Sequence, residues 1–95
     1  SVPVGITNFT ATPNGSKYEL SWDALSDANK FDMDHFLITW RKTSGALRTY
    51  RKKVNRDSSQ AIISSGVTSG ALYDITICFV GYDGLSGENS VVKGV

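Results

Sequence analysis

Two stretches of strict alternation constrain this chain more than any other feature. In Tyr18-Glu19-Leu20-Ser21-Trp22 and in Tyr73-Asp74-Ile75-Thr76-Ile77-Cys78-Phe79, apolar side chains take every second position. That is the period of a β-strand with one buried face, and no helical period of 3.6 residues persists anywhere. Similar runs cover residues 5–12, 33–42, 46–54, 61–63 and 90–95, with the two above extending over 17–22 and 73–81. In the third run Phe36, Ile38 and Trp40 alternate against Leu37, Thr39 and Arg41. Turn residues separate the runs: Pro13-Asn14-Gly15-Ser16, Thr43-Ser44-Gly45 and the glycine-rich segment 82–87. Asn-Gly adopts positive φ at little cost. A long polar loop spans 23–34. Seven short strands in this length predict an all-β, two-sheet antiparallel sandwich with Trp22 and Trp40 facing inward.

Length and charge bound the rest. Ninety-five residues are one domain's worth of chain, and a domain of that size buries about 60–65% of its unfolded surface. The net charge of +1 provides no global field for nucleic acid or a membrane. No apolar run approaches 18 residues, so no membrane span is expected. Ser1-Val2-Pro3-Val4-Gly5 lacks the pattern of a signal peptide, so any signal of the parent protein is expected outside this sequence. The one cysteine, Cys78, has no internal disulfide partner. Two sequons, Asn8-Phe9-Thr10 and Asn14-Gly15-Ser16, make Asn8 and Asn14 candidates for N-glycosylation and lean towards secretion.

The pattern resembles a fibronectin type III domain over residues 3–95. Pro3 precedes the first strand. Leu20-Ser21-Trp22 is similar to the second strand of that family with its core tryptophan. Met33, Phe36, Ile38 and Trp40 follow its third strand, with Phe36 where tyrosine is usual. Val67-x-Ser69-Gly70-x-x-Tyr73 is similar to its Leu-x-Pro-Gly-x-x-Tyr, and Gly84-x-Ser86 to the Gly-x-Ser after its sixth strand. The resemblance implies one seven-stranded immunoglobulin-like β-sandwich over residues 1–95, with Tyr73 as a tyrosine corner. In the family an apolar residue precedes the corner leucine by three. Ser64 stands there, just after Ile62 and Ile63, which implies a bulge or an altered register. An immunoglobulin domain proper would want two cysteines joining its sheets. The Tyr-x-Ile-x-Ile run and the glycine loop are similar to repeats of receptor-type tyrosine phosphatases and tenascin-like matrix proteins.

Charge distribution is the sharpest functional signal. Arg41, Lys42, Arg48, Arg51, Lys52, Lys53 and Arg56 are seven of the ten basic residues, and no acid interrupts them. Strand periodicity places Arg41 and alternate members of the fourth strand on one outward face. Such a patch attracts sulfated glycans, including heparin, acidic proteins or anionic surfaces. It also describes an edge strand protected by cations from pairing with other chains. No nucleic-acid motif accompanies it.

Other constellations are weaker. Asp27, Asn29, Asp32 and Asp34 share one loop, but their spacing fails the EF-hand pattern and reads as a solvated acidic loop. His35 and Cys78 alone are too few ligands for zinc. Asp34 and His35 are strand neighbours, expected on opposite faces, so they make no triad. Leu37, Cys78 and Val80 share outward parity; if the third and sixth strands pair they form either a small apolar patch or merely scattered exposed apolar groups. Tyr82 and Asp83 are candidate contacts in the last loop, and no Arg-Gly-Asp occurs. No catalytic constellation, cofactor site or metal site is predicted. The resemblance implies a non-catalytic adhesion or receptor module, extracellular or in a cell-surface ectodomain, within a larger multidomain protein. Its expected partners are neighbouring domains and protein or sulfated-glycan ligands. The alternative is an accessory module, glycan-binding or spacer, of a secreted carbohydrate-active enzyme.

Overall fold

The computed structural model describes residues 6–27, 31, 33–45, 48–84, 86, 90–92 and 94. Among them are seven strands: β1 (Thr10–Asn14), β2 (Lys17–Ser21), β3 (Met33–Lys42), β4 (Tyr50–Asn55), β5 (Gln60–Ile63), β6 (Tyr73–Gly81) and β7 (Ser90–Val92). They form two sheets, ordered β1-β2-β5 and β4-β3-β6-β7. Every ladder is antiparallel. The third and sixth predicted runs coincide with β3 and β6, the two longest strands.

Differences from the predicted runs have local causes. The first strand starts at Thr10 rather than residue 5, because Asn8 takes φ +55° and breaks the extended backbone. Ile6 is still buried, and its carbonyl accepts a hydrogen bond from the Ser90 hydroxyl. Pro13 lies inside β1, where β1 is an edge strand and a missing N–H is tolerated. Asn14 pairs with Lys17, so the hairpin loop is only Gly15-Ser16, with Gly15 at φ +65°. The fourth strand begins at Tyr50, later than predicted. Pro3, Asn29, Asp32, residues 46–47, Gly87 and the ends of the last run at 93 and 95 lie outside the described residues.

The core is the set of inward positions of both sheets. Met33, Phe36, Ile38, Ile75 and Ile77 have no exposed surface, and Trp22 and Trp40 are 5% and 3% exposed. Met33 and Phe36 are three apart yet both point inward, because the β3–β6 register shifts between Met33 and His35. A bulge inserts the extra residue. The same bulge overturns the expectation for Asp34 and His35: His35 Nδ1 lies 2.7 Å from Asp34 Oδ2. Strict alternation fails where the strand is bulged.

The expected irregularity at Ser64 takes a different form. β5 pairs with β2 in continuous register, Tyr18 opposite Ile63 and Glu19 opposite Ile62. Ile63 is buried at 1%, and Ile62 faces solvent at 48%. The extra residue is taken up after the strand, in a turn closed by Val67 N–H donating to the Ser64 carbonyl at 3.1 Å.

Tyr73 closes the corner between the sheets. Its hydroxyl donates to the Gly66 carbonyl at 2.9 Å and accepts from the Thr68 N–H at 2.8 Å. The ring packs edge-on against Tyr18, with centroids 5.7 Å apart. Tyr73→Phe keeps that packing and removes both hydrogen bonds. The expected loss is about 2 kcal/mol, at roughly 1 kcal/mol per bond. A urea midpoint equal to wild type would show that the corner contributes nothing.

Candidate functional site

The outer face of the four-stranded sheet is set by the β3 register. Leu37 pairs with Lys53 on one side and Cys78 on the other; Thr39 pairs with Arg51 and Thr76; Arg41 pairs with Asp74. Directly opposed residues share a face. Arg51 and Lys53 therefore stand outward and side by side on β4, both exposed. Thr39 and Thr76 join their hydroxyls at the centre of the face. Asp74 sits opposite Arg41 in the register, whereas Arg51 and Lys53 face Thr39 and Leu37, with no acidic residue opposite them.

The other four basic residues lie elsewhere. Lys52 has inward parity at the sheet edge, and its Nζ reaches across the open side of the sandwich to the Ile62 carbonyl at 2.8 Å. That contact occupies an acceptor on the free edge of β5, as edge protection requires. Arg56 lies at the far end of β3, where Nη1 donates to the Met33 carbonyl at 3.1 Å and to the Tyr82 hydroxyl at 2.8 Å. Lys42 and Arg48 flank a cleft of about 310 Å³ at the opposite end, lined also by Gly45, Tyr50, Gly66, Thr68 and Tyr73. The cluster that is continuous in sequence is thus divided among an outer face, an edge, an end cleft and a distal anchor.

The cleft rests on a layered support that the sequence pattern did not indicate. Tyr50 stacks on Trp40, with ring centroids 5.9 Å apart and planes 16° from parallel. The Arg48 guanidinium carbon sits 4.6 Å from the centre of the Tyr50 ring. Trp40 is itself fixed by Nε1 donating to the Ser65 carbonyl at 2.8 Å. The only sequence signal for this stack is the Trp40–Tyr50 pairing, which requires the β3–β4 register.

The predicted apolar patch needs correction. Cys78 does have outward parity, opposite Leu37. It is nevertheless 6% exposed, and Ser86 bridges to Val80 beside it. Burial pushes the Cys78 thiol pKa up, and a hydrogen bond with Ser86 partly opposes that rise. Leu37 and Val80 are half-buried, so of the three only these two keep exposed surface.

Both sequon asparagines are exposed. Asn8 Nδ2 donates to Asp23 Oδ2 at 2.7 Å, alongside the Thr7 hydroxyl at 2.9 Å. Asn14 lies at the hairpin tip, with a long 3.4 Å contact to Glu19. Asp27 is exposed, and among the described residues no group of three or more His, Cys, Asp or Glu side chains is placed to hold a metal ion. Tyr82 is 66% exposed beyond its contact with Arg56. Phe31, at 81%, is a further exposed aromatic that the sequence reading did not single out.

No protein-family model and no curated protein matches the sequence. Solved structures do. The chain is similar to the fn3 domain of human collagen alpha-1(XX) chain at 15% identity and TM-score 0.79, covering 99% of this chain and 85% of that one. It is similar to the FN5 domain of Drosophila Lar at 20% identity and TM-score 0.73, covering 98% and 97%. It is also similar to a two-domain fibronectin type III segment of chicken tenascin at 18% identity and TM-score 0.77, covering 94% of this chain and 47% of that one. Near-complete superposition at such low identity shows a shared fold. With sheets ordered β1-β2-β5 and β4-β3-β6-β7 and Tyr73 closing the corner, the chain has the fibronectin type III fold.

Proposed function

We propose that this chain is a non-catalytic interaction and spacer module of a larger extracellular or cell-surface protein, and that the outer face of its four-stranded sheet engages sulfated glycans or acidic protein surfaces. The observation that carries this reading is the adjacent outward pair Arg51 and Lys53, with no carboxylate within ion-pair distance among the described residues. Two unpaired cations on a rigid strand keep their side-chain donors available to an anion. The fold supports the spacer role by analogy with collagen, Lar and tenascin, whose domains share it. The alternative accessory module of a carbohydrate-active enzyme needs a row of exposed aromatics for stacking on sugar rings. Trp22 and Trp40, which would supply it, are both buried.

The test is salt-dependent retention on immobilised heparin. Wild type is expected to bind at low ionic strength and elute as salt screens the interaction. Arg51→Glu with Lys53→Glu is expected to elute at clearly lower salt. Equal elution of the two proteins would leave these residues as protection of the β4 edge and remove the reading.

A further inference from the structure

We infer that the cleft at the Lys42 end of the sandwich is a separate subsite for one oxyanion, a sulfate or carboxylate group, of an acidic glycan. The inference rests on the acidic-glycan reading above and locates a second, more specific contact away from the outer face.

The geometry supplies the argument. Arg48 and Lys42 approach the same cleft of about 310 Å³ from different segments. Neither has a carboxylate within ion-pair distance among the described residues. Arg48 lies over the Tyr50 ring, which is stacked in turn on the buried Trp40. A guanidinium held over an aromatic face keeps its N–H donors in its own plane, and that contact does not use them. The stack therefore restricts Arg48 before any ligand arrives, so less side-chain entropy remains to be lost on binding. Its fork of donors matches two oxygens of a sulfate or carboxylate, and Lys42 adds a point charge. Thr68 and Tyr73 complete the lining. The Tyr73 hydroxyl and the Thr68 N–H are already committed to the corner. The charged donors left for a ligand are thus Arg48 and Lys42, which favours a single anionic group over a neutral sugar.

The experiment titrates the isotopically labelled chain with two tetrasaccharides, a sulfated heparin fragment and a hyaluronan fragment carrying only carboxylates. Amide shifts and affinities are followed by NMR. Binding is expected to shift the amides of Tyr50, Gly66 and Thr68. Arg48→Gln and Lys42→Gln are each expected to weaken affinity by about tenfold, the size of one charge-assisted hydrogen bond. Both side chains are exposed, so Lys42→Gln should keep the wild-type melting temperature, while Arg48→Gln, which gives up the contact over Tyr50, should lower it only slightly. Arg48→Lys keeps the charge, loses the fork and should fall between. Response to the sulfated probe alone assigns a sulfate site; response to both assigns a general oxyanion site. Unchanged affinity in both Gln variants, or no response of the wild type to either probe, overturns the inference. The two readings separate cleanly. If Arg51→Glu with Lys53→Glu abolishes heparin retention while the cleft variants bind normally, the outer-face reading stands and the cleft inference falls. The reverse pattern leaves the cleft and removes the outer face.

Discussion

Trp22→Ala is expected to cost about 3–5 kcal/mol of folding stability, the range for deleting a buried large aromatic. Trp22 lies just past β2, 5% exposed, with the Phe36 ring 5.2 Å away edge-on and Phe9 at 6.4 Å. Its backbone N–H donates to the Ser59 carbonyl, which ties the end of β2 to the approach to β5. Alanine would leave a void among Phe9, Phe36 and the strand ends, and a two-sheet core closes such a void only by moving whole strands. One detail sharpens the test. Trp22 Nε1 is buried and has no hydrogen-bond partner among the described residues. An unsatisfied buried donor costs about 1–3 kcal/mol, so Trp22→Phe exchanges lost packing for relief of that penalty. It should cost about 1 kcal/mol or less. Trp40 provides the contrast: its Nε1 is satisfied by Ser65, so Trp40→Phe should be the costlier of the two phenylalanine variants. Urea unfolding of Trp22→Ala, Trp22→Phe and Trp40→Phe checks all three. A loss under about 1 kcal/mol for Trp22→Ala would mean that the sheets are held together elsewhere.

Gly66→Ala is the second large effect, about 2–3 kcal/mol. Gly66 takes φ +69°, a region that costs an L-residue about 1–2 kcal/mol. A Cβ there would also fall 2.1 Å from Cζ of Tyr50 and 2.3 Å from its Cε2. The ring must move, and moving it breaks the Trp40–Tyr50 stack, a loss of about 0.5–1.5 kcal/mol. Gly45 is the matched control, with φ +68° and nothing within 4 Å of an added Cβ. Gly45→Ala should show the backbone cost alone. The difference between the two glycines, read from urea midpoints, isolates the contact with Tyr50. Tyr50→Ala should shrink that difference, since the clash and the stack are lost together. Equal losses at the two glycines would show that Tyr50 yields freely. Because Arg48 rests on Tyr50, Gly66→Ala should also disturb the end cleft.

Much of the fold was legible because the core obeys simple periods. β3 and β6 are long central strands, and their inward positions are apolar without exception from Phe36 to Trp40 and from Tyr73 to Phe79. The corner was legible through the resemblance of Val67-x-Ser69-Gly70-x-x-Tyr73 to the corner motif of fibronectin type III domains. Edges were harder. β1 and β4 each pair on one side only, so a single positive φ at Asn8 was enough to move the start of β1. The bulge at Met33 and His35 was present in the three-residue spacing from Met33 to Phe36, but strict alternation misplaced the Asp34 side chain relative to His35.

By itself the sequence determined the strand inventory, the inward tryptophans, the corner tyrosine and the concentration of positive charge between residues 41 and 56. The corner tyrosine follows from the resemblance of its motif, and the others from side-chain period and composition, which are properties of local chain. Only the tertiary structure decided where that charge goes. Neighbours along a strand point to opposite faces, so Arg51 and Lys53 stand on the outer sheet while Lys52 between them reaches across to β5. Lys42 and Arg48 come to one cleft because the β3–β4 register sets Tyr50 against Trp40 and the corner loop brings Gly66 beside them. Cys78 is covered because Ser86, beyond β6, bridges back to Val80 beside it. Each of these depends on contacts between segments distant in sequence, which periodicity along one strand does not encode.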